Sequence, residues 1–107
     1  MQQTKQTLSE PRRRLVEAMQ EMNYGEIHDL AVRGGDPVFD PPPRTTRIIK
    51  IGGDNSPRPE LEMRDFALRQ ELIELFTHLE RLGNGVVQEI EVQRGLPFKV
   101  RIEGVIA

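Results

Sequence analysis

The sequence predicts an α+β fold in which two helix–hairpin (αββ) repeats form one antiparallel sheet, covered on one face by two helices. Three observations carry this expectation. Two apolar series at helical spacing, Leu15-Val16-Met19-Met22 and Leu68-Leu72-Leu75-Leu79-Leu82, each run into a glycine-containing stop. Each series is followed by β-forming segments divided by a glycine turn. Finally, the chain matches itself without gaps when shifted by 60 residues, so that Asn23 to Val38 lies over Gly83 to Phe98. That shift superposes Gly25 on Gly85, Val32 on Val92, Gly35 on Gly95 and Pro37 on Pro97, and it matches apolar with apolar at Ile27/Val87 and Leu30/Ile90.

The first helix is expected to start at Ser9, an N-cap residue followed by Pro11 in the first turn, and to end near Asn23 with Gly25 as the left-handed residue beyond it. Glu26 to Val32 reads as a strand with Leu30 and Val32 on one face, Arg33-Gly34-Gly35-Asp36 as a turn, and Pro37-Val38-Phe39 as a short strand. Pro41-Pro42-Pro43 has no ladder donors, so it belongs at a sheet edge or in an extended connector. Strand character resumes from Arg44 to Ile51 through Ile48, Ile49 and Ile51. The second helix is predicted to run about five turns, with Pro59, Glu60, Glu62 and Asp65 at its start, Met63, Phe66, Ile73 and Phe76 beside the leucine stripe, and Gly83-Asn84-Gly85 as its stop. Val86 to Gln93 and Leu96 to Ile106 are the last two strands. With Ile90, Val92, Phe98, Val100 and Ile102 facing inward, a three-residue loop over Arg94 to Leu96 sets Val92 against Phe98 and Ile90 against Val100. The same loop sets Glu91 against Lys99 and Glu89 against Arg101, so that opposite charges meet twice. The whole is read as one domain over 1–107, with repeat one at about 9–51, a connector at 52–59 and repeat two at about 60–107.

Within the first repeat, Leu15-Val16-Glu17-Ala18-Met19-Gln20-Glu21-Met22-Asn23-Tyr24-Gly25-Glu26-Ile27, with Val32 and Gly35 downstream, resembles a short bacterial family of unknown function, the YezD-like family. Its members are also a helix, a Tyr-Gly step and a valine-rich hairpin, about one repeat long. The second repeat has Asn84 where the family has tyrosine, and the prolines at 41–43 also depart from it. The resemblance implies a fold and no chemistry.

Composition narrows function mainly by exclusion. Leu, Ile, Val and Phe make up 30 of the 107 residues, above the ~20% below which chains remain disordered. No apolar run reaches the ~20 residues of a membrane span, and Met1 to Leu8 is polar, so a soluble cytoplasmic protein is expected. There are no cysteines, which removes disulfides, thiolate nucleophiles and cysteine-based zinc sites. A net charge of −2 does not fit a dedicated duplex-binding domain.

The search for chemistry finds no catalytic constellation. His28 and His78 have no partner at metal-ligand spacing, so neither a catalytic nor a metal role is assigned, and no cofactor is expected. Asp29, Asp36, Asp40 and Asp54 match no calcium loop and read as turn aspartates. Gly52-Gly53-Asp54-Asn55 stands between a strand and a helix, but without a following lysine it reads as a connector. Tyr24 and Phe39 are too few for a base-stacking surface. The function expected is therefore a non-catalytic interaction or regulatory module, homodimeric or bound to a protein partner. The alternative is a weak nucleic-acid binder using Arg44, Arg47, Lys50 and Arg58 as anion contacts, with Arg12-Arg13-Arg14 as a second basic cluster.

Overall fold

The computed structural model describes residues 8–53 and 69–103. Its elements are α1 (Glu10–Met22), β1 (Gly25–Arg33), β2 (Asp36–Val38), β3 (Arg44–Arg47), α2 (Gln70–Leu82), β4 (Gly85–Gln93) and β5 (Leu96–Arg101). The five strands form one antiparallel sheet of order β2-β1-β4-β5, with β3 also paired to β1. Among the described residues no helix is long and apolar enough to cross a membrane.

α1 starts as its sequence dictates. The Ser9 hydroxyl accepts from the Arg12 N–H at 3.4 Å, and Pro11 occupies a first-turn position where no intrahelical donor is needed. Its end differs from expectation. The residue in the left-handed region is Asn23 (φ 66°, ψ −58°), whose neighbours close a three-residue turn through Tyr24 N–H to the Met22 carbonyl at 2.8 Å. Gly83 closes the same turn after α2 (φ 70°, ψ −77°), with Asn84 N–H on the Leu82 carbonyl at 2.8 Å. Gly25 instead opens β1, and its reason is space. A Cβ there would collide with the Thr46 carbonyl oxygen and sit 2.7 Å from Met22 Sδ.

β1 and β4 pair along their length, from Gly25 opposite Val92 to Val32 opposite Gly85. Strict alternation would put only one of Ile27 and Leu30 inside. Asp29, at φ 56°, breaks the alternation between them, and both are buried. Both hairpins turn on two left-handed residues, Gly34-Gly35 (φ 59° and 79°) and Arg94-Gly95 (φ 55° and 77°), the twist that suits a two-residue connection. Each turn is tied to the end of the other half's helix: Gly35 N–H donates to the Gly83 carbonyl and Gly95 N–H to the Asn23 carbonyl, both at 2.9 Å. One core unites Leu15, Val16, Met19 and Met22 of α1 with Leu72, Leu75, Phe76 and Leu79 of α2. The strands add Ile27, Leu30, Val32, Val87, Ile90 and Val92 to it.

Three further expectations are corrected. The last hairpin loop has two residues, not three, since Gln93 pairs Leu96; an extra residue then enters β5, so Val92 faces Pro97 rather than Phe98. The pairs Ile90–Val100, Glu91–Lys99 and Glu89–Arg101 hold as expected, while Phe98 and Ile102 are exposed rather than inward. β3 stops at Arg47, because β1 begins at Gly25; beyond it Ile48 N–H donates to the Tyr24 carbonyl at 2.9 Å, and the β1 register ends there. Ile48, Ile49 and Ile51 are therefore exposed. β2 and β3 are two pieces of one interrupted edge. Between Ala31–Val38 and His28–Arg44, three steps along β1 correspond to six on the other side, so three residues around Pro41-Pro42-Pro43 are extra. The expected start of the second helix (Pro59, Glu60, Glu62, Met63, Asp65, Phe66, Leu68) lies outside the described residues.

Candidate functional site

The residues expected to contact anions do not share a surface. Arg44 pairs with His28 and stands on the sheet face turned away from the core, where its Nη2 donates to Asp29 Oδ2 at 3.2 Å. Arg47 pairs with Gly25, three positions along a strand whose faces alternate, so it belongs to the opposite face. Lys50 is exposed beyond the end of β3, and Arg58 lies outside the described residues.

The triple arginine is likewise divided. Arg12 is a clamp, its side chain 17% exposed. Its Nε donates to Asp36 Oδ1 at 2.9 Å, Nη1 to Glu80 Oε1 at 3.0 Å and Nη2 to the Gly35 carbonyl at 3.1 Å, while its guanidinium lies 5.3 Å from the Phe76 ring centre. It therefore binds α1, the β1–β2 turn and α2 together. Arg14 covers the Phe39 ring at 4.5 Å. The aspartates are scattered too: Asp36 takes Arg12 and the Ser9 hydroxyl, Asp29 takes Arg44, Asp40 is exposed in the loop after β2, and Asp54 lies outside the described residues.

Two places gather functional side chains. One is a cleft of about 370 Å3 between α2 and β5. Glu71, Glu74 and His78 form its helix side, Leu75 its floor, and Phe98, Val100 and Ile102 its strand side. β5 is the edge of the sheet and pairs only with β4 among the described strands. The corresponding place at the other edge, between α1 and β2, is filled from within. Phe39 there follows Val38 (paired to Ala31), packs against the core, and is capped by Arg14. On the open side Val100, paired to Ile90, occupies the position of Phe39, and Glu74, 60 residues after Arg14, replaces the capping arginine. A ring and its cation are exchanged for a valine and a carboxylate.

The second place is on the outer face of the central strands. Glu26 and His28 are two residues apart on β1 and so point the same way, and Glu89 of β4 is the cross-strand partner of His28. His28 Nε2 lies 3.4 Å from Glu26 Oε1 and 3.0 Å from Thr46 Oγ1, and Nδ1 lies 3.8 Å from Glu89 Oε1. All three are half-buried, and one donor atom of each lies within 4.8 Å of the others. Arg101 Nη2 approaches Glu89 Oε1 to 3.9 Å from β5.

Neither place is visible in residue spacing alone. The cluster needs the β1–β4 pairing, which joins residues about 60 apart. The cleft has a fainter signal, the change from Arg14 to Glu74 between helices whose apolar stripes match. Comparison with family models, curated proteins and solved structures finds no match for this chain.

Proposed function

We propose that the protein is a non-catalytic interaction module that self-associates through the cleft between α2 and β5, the occupant being β5 of a second copy. The observation that carries the reading is the open cleft beside an unpaired edge, where the other edge holds Phe39 under Arg14. An edge strand offers backbone donors and acceptors to another strand. The proline and the extra residue of β5 both fall in its first half, so Lys99 to Arg101 keeps a regular register. Phe98 on the strand side of the cleft is 57% exposed, an aromatic ring open to a second copy, and Lys99 also borders the cleft whose helix side holds Glu71 and Glu74. Two β5 strands meeting antiparallel about a two-fold axis would each place an aromatic side chain against the other's cleft.

In this reading the chain is a duplicated αββ unit whose two helices share one face of the sheet. Helices, γ-like turns, first strands and glycine turns recurring at an offset of 60 residues support it. The resemblance of Leu15–Ile27 to the YezD-like family, whose members are about one such unit long, is consistent with this and adds no activity. The nucleic-acid alternative draws no support from register, which puts Arg44 and Arg47 on opposite faces.

Light scattering during size-exclusion chromatography over a range of concentrations tests the proposal. A wild-type dimer, a monomeric Phe98→Asp variant with unchanged circular dichroism, and a dimeric Ile49→Asp variant are the expected results. A wild type that stays monomeric, or a dimer broken by Ile49→Asp and not by Phe98→Asp, overturns it.

A further inference from the structure

We propose that Glu26, His28 and Glu89 bind a divalent transition-metal ion of the zinc class on the outer face of the sheet. The site is independent of the β5 interface and requires no second chain.

The donor set fits the ion. One imidazole and two carboxylates are borderline-to-hard ligands suited to Zn2+ and its neighbours, and three protein donors leave a coordination position for water. Ligand atoms around a tetrahedral ion with bonds of about 2.1 Å lie about 3.4 Å apart. His28 Nδ1 lies 3.8 Å from Glu89 Oε1, and the three residues bring one donor atom each within 4.8 Å of one another. The remaining closure falls to glutamate tips, each on a chain with three free torsions. With Nδ1 on the ion, Thr46 Oγ1, 3.0 Å from Nε2, is placed to accept the other ring N–H and hold the imidazole plane.

A second observation, separate from the three donors, also points to a cation. Glu26 stands directly opposite Glu91, a like-charge cross-strand pair, which is ordinarily destabilising. Glu91 is half-buried, and its carboxylate has no hydrogen bond or ion pair among the described residues. Lys99, its cross-strand neighbour on β5, has its ammonium 5.8 Å from the Phe98 ring centre. Of the positive groups on this face, Arg44 bonds Asp29 and Arg101 stands 3.9 Å from Glu89. Glu26, Glu89 and Glu91 share one face of the two central strands, and the first two stand against His28. An ion beside His28 screens the repulsion that the register imposes.

Titration of the purified chain with Zn2+ alone, followed by calorimetry, and with Co2+, followed by its visible spectrum, tests the site. The expected result is one equivalent bound in the micromolar range or tighter, with Co2+ bands of low coordination number. His28→Gln and Glu89→Gln should each weaken binding by at least about tenfold and remove the Co2+ bands, while His78→Gln leaves both unchanged. Circular dichroism of the metal-free variants confirms that they fold. No binding by the wild type, or binding lost with His78→Gln and retained in His28→Gln, overturns the proposal.

Discussion

Replacing Arg12 by alanine removes a side chain that joins α1 to both the β1–β2 turn and α2. The loss can be built from its contacts. The bonds to Asp36 and to the Gly35 carbonyl are part-buried, and bonds involving a charged group contribute about 1.5–3 kcal/mol when shielded. The bond to Glu80 counts for less, because that carboxylate is 60% exposed, and exposed pairs contribute about 0.2–1 kcal/mol. Contact with the Phe76 ring adds about 0.5–1 kcal/mol. These effects share one guanidinium and do not add fully, so the expected loss is about 2–3 kcal/mol. For a chain of this size that corresponds to a fall of roughly 10–20 °C in the unfolding midpoint. Thermal unfolding followed by far-UV circular dichroism measures it, and double-mutant cycles apportion it. Coupling of Arg12 to Asp36 should be about 1–2 kcal/mol, and to Glu80 below about 0.5 kcal/mol. Arg12→Lys should recover only part of the loss, since one ammonium cannot reach three acceptors in fixed directions. A total loss under about 0.5 kcal/mol, or stronger coupling to Glu80 than to Asp36, refutes the idea that this clamp holds the two halves together.

Two other perturbations test the backbone argument. Asn23→Gly should stabilise the chain by about 1 kcal/mol, because glycine relieves the positive-φ turn and removes Oδ1, which is buried without a partner among the described residues. Urea denaturation showing lower stability would mean that the asparagine side chain outweighs the strain. Gly25→Ala should cost about 1–3 kcal/mol, since the methyl group meets the Thr46 carbonyl and Met22. The damage should be local, and amide exchange at Ile48, bonded to the Tyr24 carbonyl, should accelerate before exchange in β4. Uniform acceleration across the sheet would contradict a β3-specific role for this glycine.

Much of the fold was legible because its signals lie within a few residues of one another. Ser9 and Pro11 start α1 as read, the two glycine turns lie where expected, and the charge pattern of Glu89, Glu91, Lys99 and Arg101 set the inner register of β4 and β5 correctly. The errors arose where a distant contact decides. Gly25 looked like a helix cap because glycine suits one, yet its place is dictated by Thr46, 21 residues away. Ile48, Ile49 and Ile51 have the composition of a strand, but β1 has no residues left to pair with them. Phe98 was read as inward from parity alone, and it does share the α2 side with Val100 and Ile102, but at this sheet edge that side is open and leaves it exposed. The Glu26–His28–Glu89 cluster and the open cleft were illegible for the same reason, since both depend on which strand lies beside which.

On the proposed duplication, the unequal side chains of the two halves carry the difference between them. Where positions 60 apart match, as at Leu15/Leu75, Val16/Phe76, Met19/Leu79 and Val32/Val92, they line one shared core and need only be apolar. Where they do not match, packing of the common scaffold is not the cause. Arg12 answers to Leu72 and its acceptor Glu80 to Gln20, so the clamp exists once, and Gln20 is buried with its Oε1 unpartnered among the described residues. His28 answers to Gln88, Glu89 to Asp29 and Glu26 to Val86, so the donor cluster also exists once, although both strands lie at the centre of the sheet. Arg14 answers to Glu74, and with the change from Phe39 to Val100 this closes one edge and opens the other. A symmetric pair of units would present two equivalent edges and risk open-ended stacking through both. With the first edge interrupted by prolines and filled by its own aromatic ring, the proposed association through β5 would end at a pair.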